Sequence, residues 1–256
     1  MRCFFITAFM ILSFLSKGIG STGADTLLEK IRKTEGIEKA KNYNNASAVF
    51  KVNKPDSAIL LARQALAIGH ESHSDPIIAE ALGNIADCYA HHLTFDSAVV
   101  YYLKAITVAE KTNNNKELAS YYNGIGIVFY HLTDYDKAIS YMKKAAEYKY
   151  KEGDMMYYIT VNCNISSVLQ RIGKFKEAIS ILLDSEKKLK QFNNPGILAN
   201  LYNSLGGAYQ QGENNQDSAE YYYSKNIALI PQLENQPFRF AAFLNLGQLY
   251  LQKGQL

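Results

Sequence analysis

The chain has 256 residues, 48% apolar and 20% charged, with 5 Pro. That composition excludes disordered and fibrous classes and is long enough to bury a real core. The formal charge of +3 falls to about +1 without Arg2 and Lys17, which argues against a dedicated nucleic-acid binder.

The first stretch carries Arg2 directly after Met1, then an apolar run from Cys3 to Leu15, then the small residues Gly18, Gly20, Ser21, Gly23 and Ala24. Charged, apolar and small, in that order, is the pattern of a secretory signal. A run of 13 residues falls short of the roughly 20 that cross a bilayer as a helix. A leader over 1–24 with cleavage before Asp25 is therefore expected, with Gly20 as a second candidate position, and no membrane insertion after cleavage. Export to the periplasm or cell surface follows from it. Residues 25–38 are expected to form a helical lead-in.

From there a repeat takes over. Asp56-Ser57-Ala58, Asp96-Ser97-Ala98, Asp136-Lys137-Ala138, Lys176-Glu177-Ala178 and Asp217-Ser218-Ala219 place their alanines 40, 40, 40 and 41 residues apart. Large residues follow each Ala by three or four positions, and Ala65, Ala105, Ala145 and Ser185 follow by seven. Those spacings mark one face of an α-helix. Upstream of each Ala lies a second helical pattern: Leu82, Ile85, Ala86 and Tyr89; Tyr122, Ile125, Gly126 and Phe129; Val161, Ile165, Ser166 and Leu169; Tyr202, Leu205, Gly206 and Tyr209; Phe243, Leu246, Gly247 and Tyr250. Glycine in such a row permits close helix approach. Polar breaks at 112–116, 151–154, 193–196 and 232–237 separate the units. Each unit is thus a helix, a turn and a second helix.

Ser204 to Tyr209, Asn245-Leu246-Gly247 with Tyr250, and Asp134 to Ala138 resemble the tetratricopeptide repeat family, in a variant of about 40 residues where the family repeat has 34. The resemblance implies an all-α, right-handed superhelical solenoid of about five and a half repeats. These are expected at 39–78, 79–118, 119–158, 159–198, 199–239 and, incomplete, 240–256. The unit around Asn226 departs from the pattern: Asn stands where a small residue is expected, Gln216 replaces an aromatic, and an extra residue enters between Gly212 and Gln216. Asn53 to Leu66 is also similar to the entry repeat of Bacteroidetes-type sensor proteins. In that group exported arrays precede a membrane span and a histidine kinase or helix-turn-helix regulator.

Stacked hairpins present a long, open surface rather than a closed pocket, which suits an extended protein or peptide partner and implies no catalytic residues. Helical phase places Asn84, Asp87, His91, Asn123, Tyr130, Asn164, Arg171, Asn203, Gln210 and Asn245 on the concave side. An Asn amide donates and accepts, so a row of them either grips a peptide backbone or is satisfied by water and the adjacent helix. In related repeat proteins Asn residues at matching positions hold peptide backbones.

No metal or cofactor site is expected. His70 and His73 are three apart, where a zinc-protease helix needs four, and His91 and His92 point to different sides of a helix. Gly124-Ile125-Gly126 lacks the third Gly and the strand of a dinucleotide loop. Cys88 and Cys163, each inside an apolar pattern, are expected as buried thiols. Lys143-Lys144 and Lys187-Lys188 with Lys190 are expected on solvated outer faces. The Tyr doublets are expected to fill seams with one ring of each pair exposed. The last unit stops at Gly254-Gln255-Leu256, in the turn that launches a second helix in every earlier repeat, so the parent chain is expected to continue.

Overall fold

The computed structural model describes residues 21–112, 115–189, 194–213, 215–232 and 236–254. The expected leader therefore lies mostly outside the described residues, as do Lys190 and the final two positions. Among the described residues there are twelve α-helices and no strand. They are α1 (Ser21–Lys33), α2 (Gly36–Phe50), α3 (Pro55–Glu71), α4 (Asp75–His91), α5 (Phe95–Lys111), α6 (Asn115–His131), α7 (Tyr135–Lys151), α8 (Met155–Arg171), α9 (Phe175–Leu189), α10 (Pro195–Ala208), α11 (Gln216–Ala228) and α12 (Gln236–Lys253).

The starts have local causes. Asp134, Asp154, Asn194 and Asn215 each accept a hydrogen bond from the backbone N–H three residues on, capping α7, α8, α10 and α11. Pro stands in the first turn of α3, α4 and α10, where its missing N–H has no cost. The first helices of these hairpins begin at Asp75, Asn115, Met155 and Pro195. The turn between α10 and α11 takes up the extra residue as a single π-helical turn, Tyr209–Glu213.

The chain divides into two compact units, 1–128 and 129–256, with the boundary inside α6. In the first unit, Leu28 and Ile31 of α1 join Ala40, Tyr43, Ala46 and Phe50 of α2 in a core shared with α3 and α4. The lead-in is thus a packed helix. From α1 to α5 each helix packs on the next, and α2 also packs on α4, so first helices of successive hairpins lie side by side. In the second unit α8, α9, α10 and α11 enclose Ile159, Cys163, Leu182, Leu189, Leu201 and Leu205. There α8 packs on α10, and α10 on α12.

The periodic alanines explain this stacking. Ala58, Ala98, Ala138, Ala178 and Ala219 are all fully buried, as are Ala65, Ala105, Ala145 and Ser185 seven residues later. A helix pair with only methyl groups in its seam approaches closely along its whole length. Asn226 fills the fifth place in that second row, buried, with its side-chain oxygen lacking a hydrogen-bond donor.

Candidate functional site

The first helices of the hairpins carry nine of the ten residues singled out in the sequence, with Gln210 on the π-helical turn after α10, and every one reaches the surface in part or in full. Their partners differ by unit. In the first, Asn84 on α4 donates from Nδ2 to the main-chain oxygen of Asn44 on α2, at 3.1 Å. Asn44, fully buried, donates in turn to Glu80 at 3.1 Å and to the Ile77 carbonyl at 3.4 Å. Asp87 is held on both oxygens, by Lys51 Nζ at 2.6 Å and by the Tyr102 hydroxyl at 2.6 Å. His91 is exposed, and Asn123 is half-buried.

Burial pushes the Glu80 carboxyl above its ordinary pKa, and the neighbouring Glu117 adds to the shift against the opposing pull of Asn44 and Lys41. The Tyr121 hydroxyl, which donates to Glu117 at 3.3 Å, is pushed up by burial and by the same carboxylates.

In the second unit Asn245 donates from Nδ2 to Asn203 Oδ1 at 2.5 Å, linking α12 to α10. Gln210 accepts from the Tyr223 hydroxyl at 2.9 Å and donates to Gln252 at 2.7 Å. Asn164 is half-buried beside the exposed Ser167. Tyr130 packs edge-on against the ring of His131, with centroids 5.5 Å apart, and tilted against Tyr135 at 5.9 Å. Arg171 is exposed at the end of α8, and interaction with Tyr135, then Tyr130, holds its pKa above the usual value.

The amide row is thus partly structural: Asn84 and Asn245 each stitch one hairpin to its neighbour, and both residues remain part-exposed. Asn44, Lys51 and Glu80 were not singled out in the sequence. Asn44 stands forty residues before Asn84 and Lys51 forty before His91, so the period carried the signal. Glu80 has no such marker.

The set-aside motifs fall as follows. His70 and His73 are exposed, and Cys88 and Cys163 are buried free thiols. Burial pushes the Cys163 thiol up to about 12 and that of Cys88 up to about 11. Two expectations fail. Tyr121 and Tyr122 are both buried, because Gly83 leaves room for the Tyr121 ring and Glu110 receives the Tyr122 hydroxyl at 2.7 Å. Lys188 is not a solvated outer charge: it pairs with Asp184 and lies over the rings of Tyr150 and Tyr158, at 5.4 and 5.2 Å. Among the described residues no helix is long and apolar enough to cross a membrane.

Helical hairpins recurring every forty residues, with first helix packed on first helix, define a tetratricopeptide-like array. Residues 77–151, which span α4 to α7 almost entirely, match the family model of the tetratricopeptide repeat. No curated protein matches the chain. Solved structures that share the fold include BtubC (BKLC) from P. vanneervenii, at 18% identity and TM-score 0.66 over 81% of this chain and 85% of that one. The Rap protein complexed with competence and sporulation factor matches at 18% identity and TM-score 0.64, over 91% of this chain and 71% of that one. YrrB, described as a TPR protein with an unusual peptide-binding site, matches at 19% identity and TM-score 0.52, over 92% and 99%.

Proposed function

We propose that the chain is an exported scaffold that binds a protein or an extended peptide on the first-helix faces of its hairpins, and that it works by binding rather than by chemistry. The observation that carries this reading is that all ten polar and aromatic side chains in that row reach the surface, in part or in full, in a fold whose buried positions are mostly apolar. Amides and phenols standing partly clear of the core offer donors and acceptors to a peptide backbone. Two of the structures that share the fold support it: YrrB has a peptide-binding site and the Rap protein is complexed with competence and sporulation factor.

The test is selection of peptides from a random display library on the purified chain, followed by affinity measurement with the Asn123→Ala, Asn164→Ala, Asn203→Ala triple variant. Each lost hydrogen bond costs about 0.5–1.5 kcal/mol, so the triple variant is expected to bind at least tenfold more weakly with unchanged circular dichroism. Equal affinity for every selected peptide would remove these residues from the site.

Export rests on the charged, apolar and small-residue order of 1–24. Fusing those residues to a phosphatase that is active only outside the cytoplasm is expected to yield activity. A second reading, the periplasmic sensor region of a longer membrane-linked histidine kinase or helix-turn-helix regulator, is favoured by the Asn53 to Leu66 segment. Reading the intact gene beyond Leu256 decides between the two.

A further inference from the structure

Asn44 of α2 is fully buried, and it ties α2 to α4 in three places. Its main-chain oxygen accepts from Asn84 Nδ2 at 3.1 Å, and its own Nδ2 donates to Glu80 Oε2 at 3.1 Å and to the Ile77 carbonyl at 3.4 Å. Ile77, Glu80 and Asn84 lie three and seven residues apart on one face of α4. Both acceptors of Nδ2 are oxygens, so the amide cannot be turned round while Glu80 is charged. Its remaining atom, Oδ1, is buried and receives no hydrogen bond among the described residues.

Glu80 lies half-buried in the same seam. The titratable groups facing it are Lys41 on α2, which pairs with Glu38 at 3.7 Å, and Glu117 and Tyr121 on α6. Among the described residues α3 and α5 add no charge to it. The ring of Tyr121 rests against Gly83, where a Cβ would stand 2.2 Å from a ring carbon, and its hydroxyl reaches back one turn to Glu117 at 3.3 Å. Glu80 likewise stands one turn before Gly83, so the two carboxyls occupy one level of neighbouring first helices. Burial, the largest influence, and Glu117 oppose a charge on Glu80, while Asn44 and Lys41 favour it.

We propose that Glu80 and Asn44 form a proton-operated clasp between α2 and α4: the protonated carboxyl donates its O–H to Asn44 Oδ1 while Asn44 Nδ2 goes on donating to Glu80. A carboxylic acid is donor and acceptor at once and an amide is its complement, so two hydrogen bonds close where a carboxylate allows one. One proton, taken up at the part-exposed side of Glu80, thus satisfies the orphaned acceptor and removes the charge facing Glu117. Its loss leaves Oδ1 without a donor and loosens α2 on α4. The folded chain keeps this proton to a higher pH than the unfolded chain does. The clasp is therefore fully closed below the unfolded value of about 4.3 and opens as pH rises through the folded one. Because the same Asn44 receives Asn84, the seam carrying Asn84 and Asp87 is held most firmly in mild acid.

The test is an NMR titration of the whole chain carrying carbon-13 glutamate and nitrogen-15 asparagine, with hydrogen exchange of α2 beside it. The Glu80 carboxyl and the Asn44 side-chain amide are expected to titrate together, with one midpoint above about 4.3. Protection of α2, corrected for the intrinsic exchange rate, is expected to be roughly threefold higher or more at about pH 5 than at about pH 8. Glu80→Gln offers Asn44 both a donor and an acceptor with no proton to lose, so it should hold α2 at the acid level of protection across that range. Glu117→Gln should lower the Glu80 midpoint and leave it coupled to Asn44. A Glu80 midpoint that moves no Asn44 signal would place the proton toward Glu117 and overturn the clasp. Protection of α2 that ignores pH in the parent chain, or that still falls with rising pH in Glu80→Gln, would overturn it as well.

Discussion

The ring of Tyr223 lies across the backbone of Gly206, so close that a Cβ on Gly206 would stand 2.4 Å from a ring carbon. Tyr223 is itself buried, and its hydroxyl is tied to Gln210, so the ring has nowhere to retreat. Gly206→Ala is therefore expected to cost about 1–3 kcal/mol through overpacking. The same change in a Tyr223→Leu background should cost much less, because the two residues share one contact. Equal costs in both backgrounds, read from urea midpoints, would show that the strain lies elsewhere.

Three turns, forty residues apart, pass through the left-handed region at Leu93, Thr133 and Gly173, with φ of 59°, 61° and 76°. Only glycine adopts that conformation freely, and a β-branched residue is strained there. Thr133→Gly is expected to gain up to about 1 kcal/mol, and Gly173→Ala to lose about as much. Chemical denaturation of both variants checks the pair; a loss for Thr133→Gly would point to a side-chain contact worth more than the strain.

Asn226 occupies a place filled in the other hairpins by Ala65, Ala105, Ala145 and Ser185, and its buried oxygen has no donor. An unsatisfied buried acceptor costs about 1–3 kcal/mol, offset in part by the small void left when the amide is removed. Asn226→Ala is expected to raise stability by about 1 kcal/mol. An unchanged or lower urea midpoint would mean that the amide is better satisfied than its surroundings indicate.

Glu80 provides a test with a sign. Its carboxyl titrates above the ordinary value in the folded chain, chiefly because it is buried. The folded state therefore binds a proton that the unfolded state has already released, and stability falls as pH rises from the unfolded value of about 4.3 through the folded one. Glu80→Gln keeps an acceptor for Asn44 and removes the charge facing Glu117. It is expected to be more stable than the parent at pH 7 and to lose that advantage at and below about pH 4. An advantage that is independent of pH would assign the effect to packing.

The hairpins were legible in the sequence because their cause is periodic. Helical spacing repeats every forty residues, and a close helix seam demands a small residue at the same place each time, so Ala58, Ala98, Ala138, Ala178 and Ala219 declared both the fold class and its phase. The candidate face followed from that phase, which put all ten residues at the surface. What each side chain does there depended on contacts that no spacing encodes. Asn84 and Asn245 appear alike in sequence, yet one donates to a backbone carbonyl and the other to a side-chain amide of the hairpin before it. Lys188 appeared solvated until the fold brought Tyr150 and Tyr158 beneath it. Local pattern determines which face a residue occupies. Only packing against the neighbouring helix decides whether its charge or amide is already taken, because the partner arrives from a different hairpin.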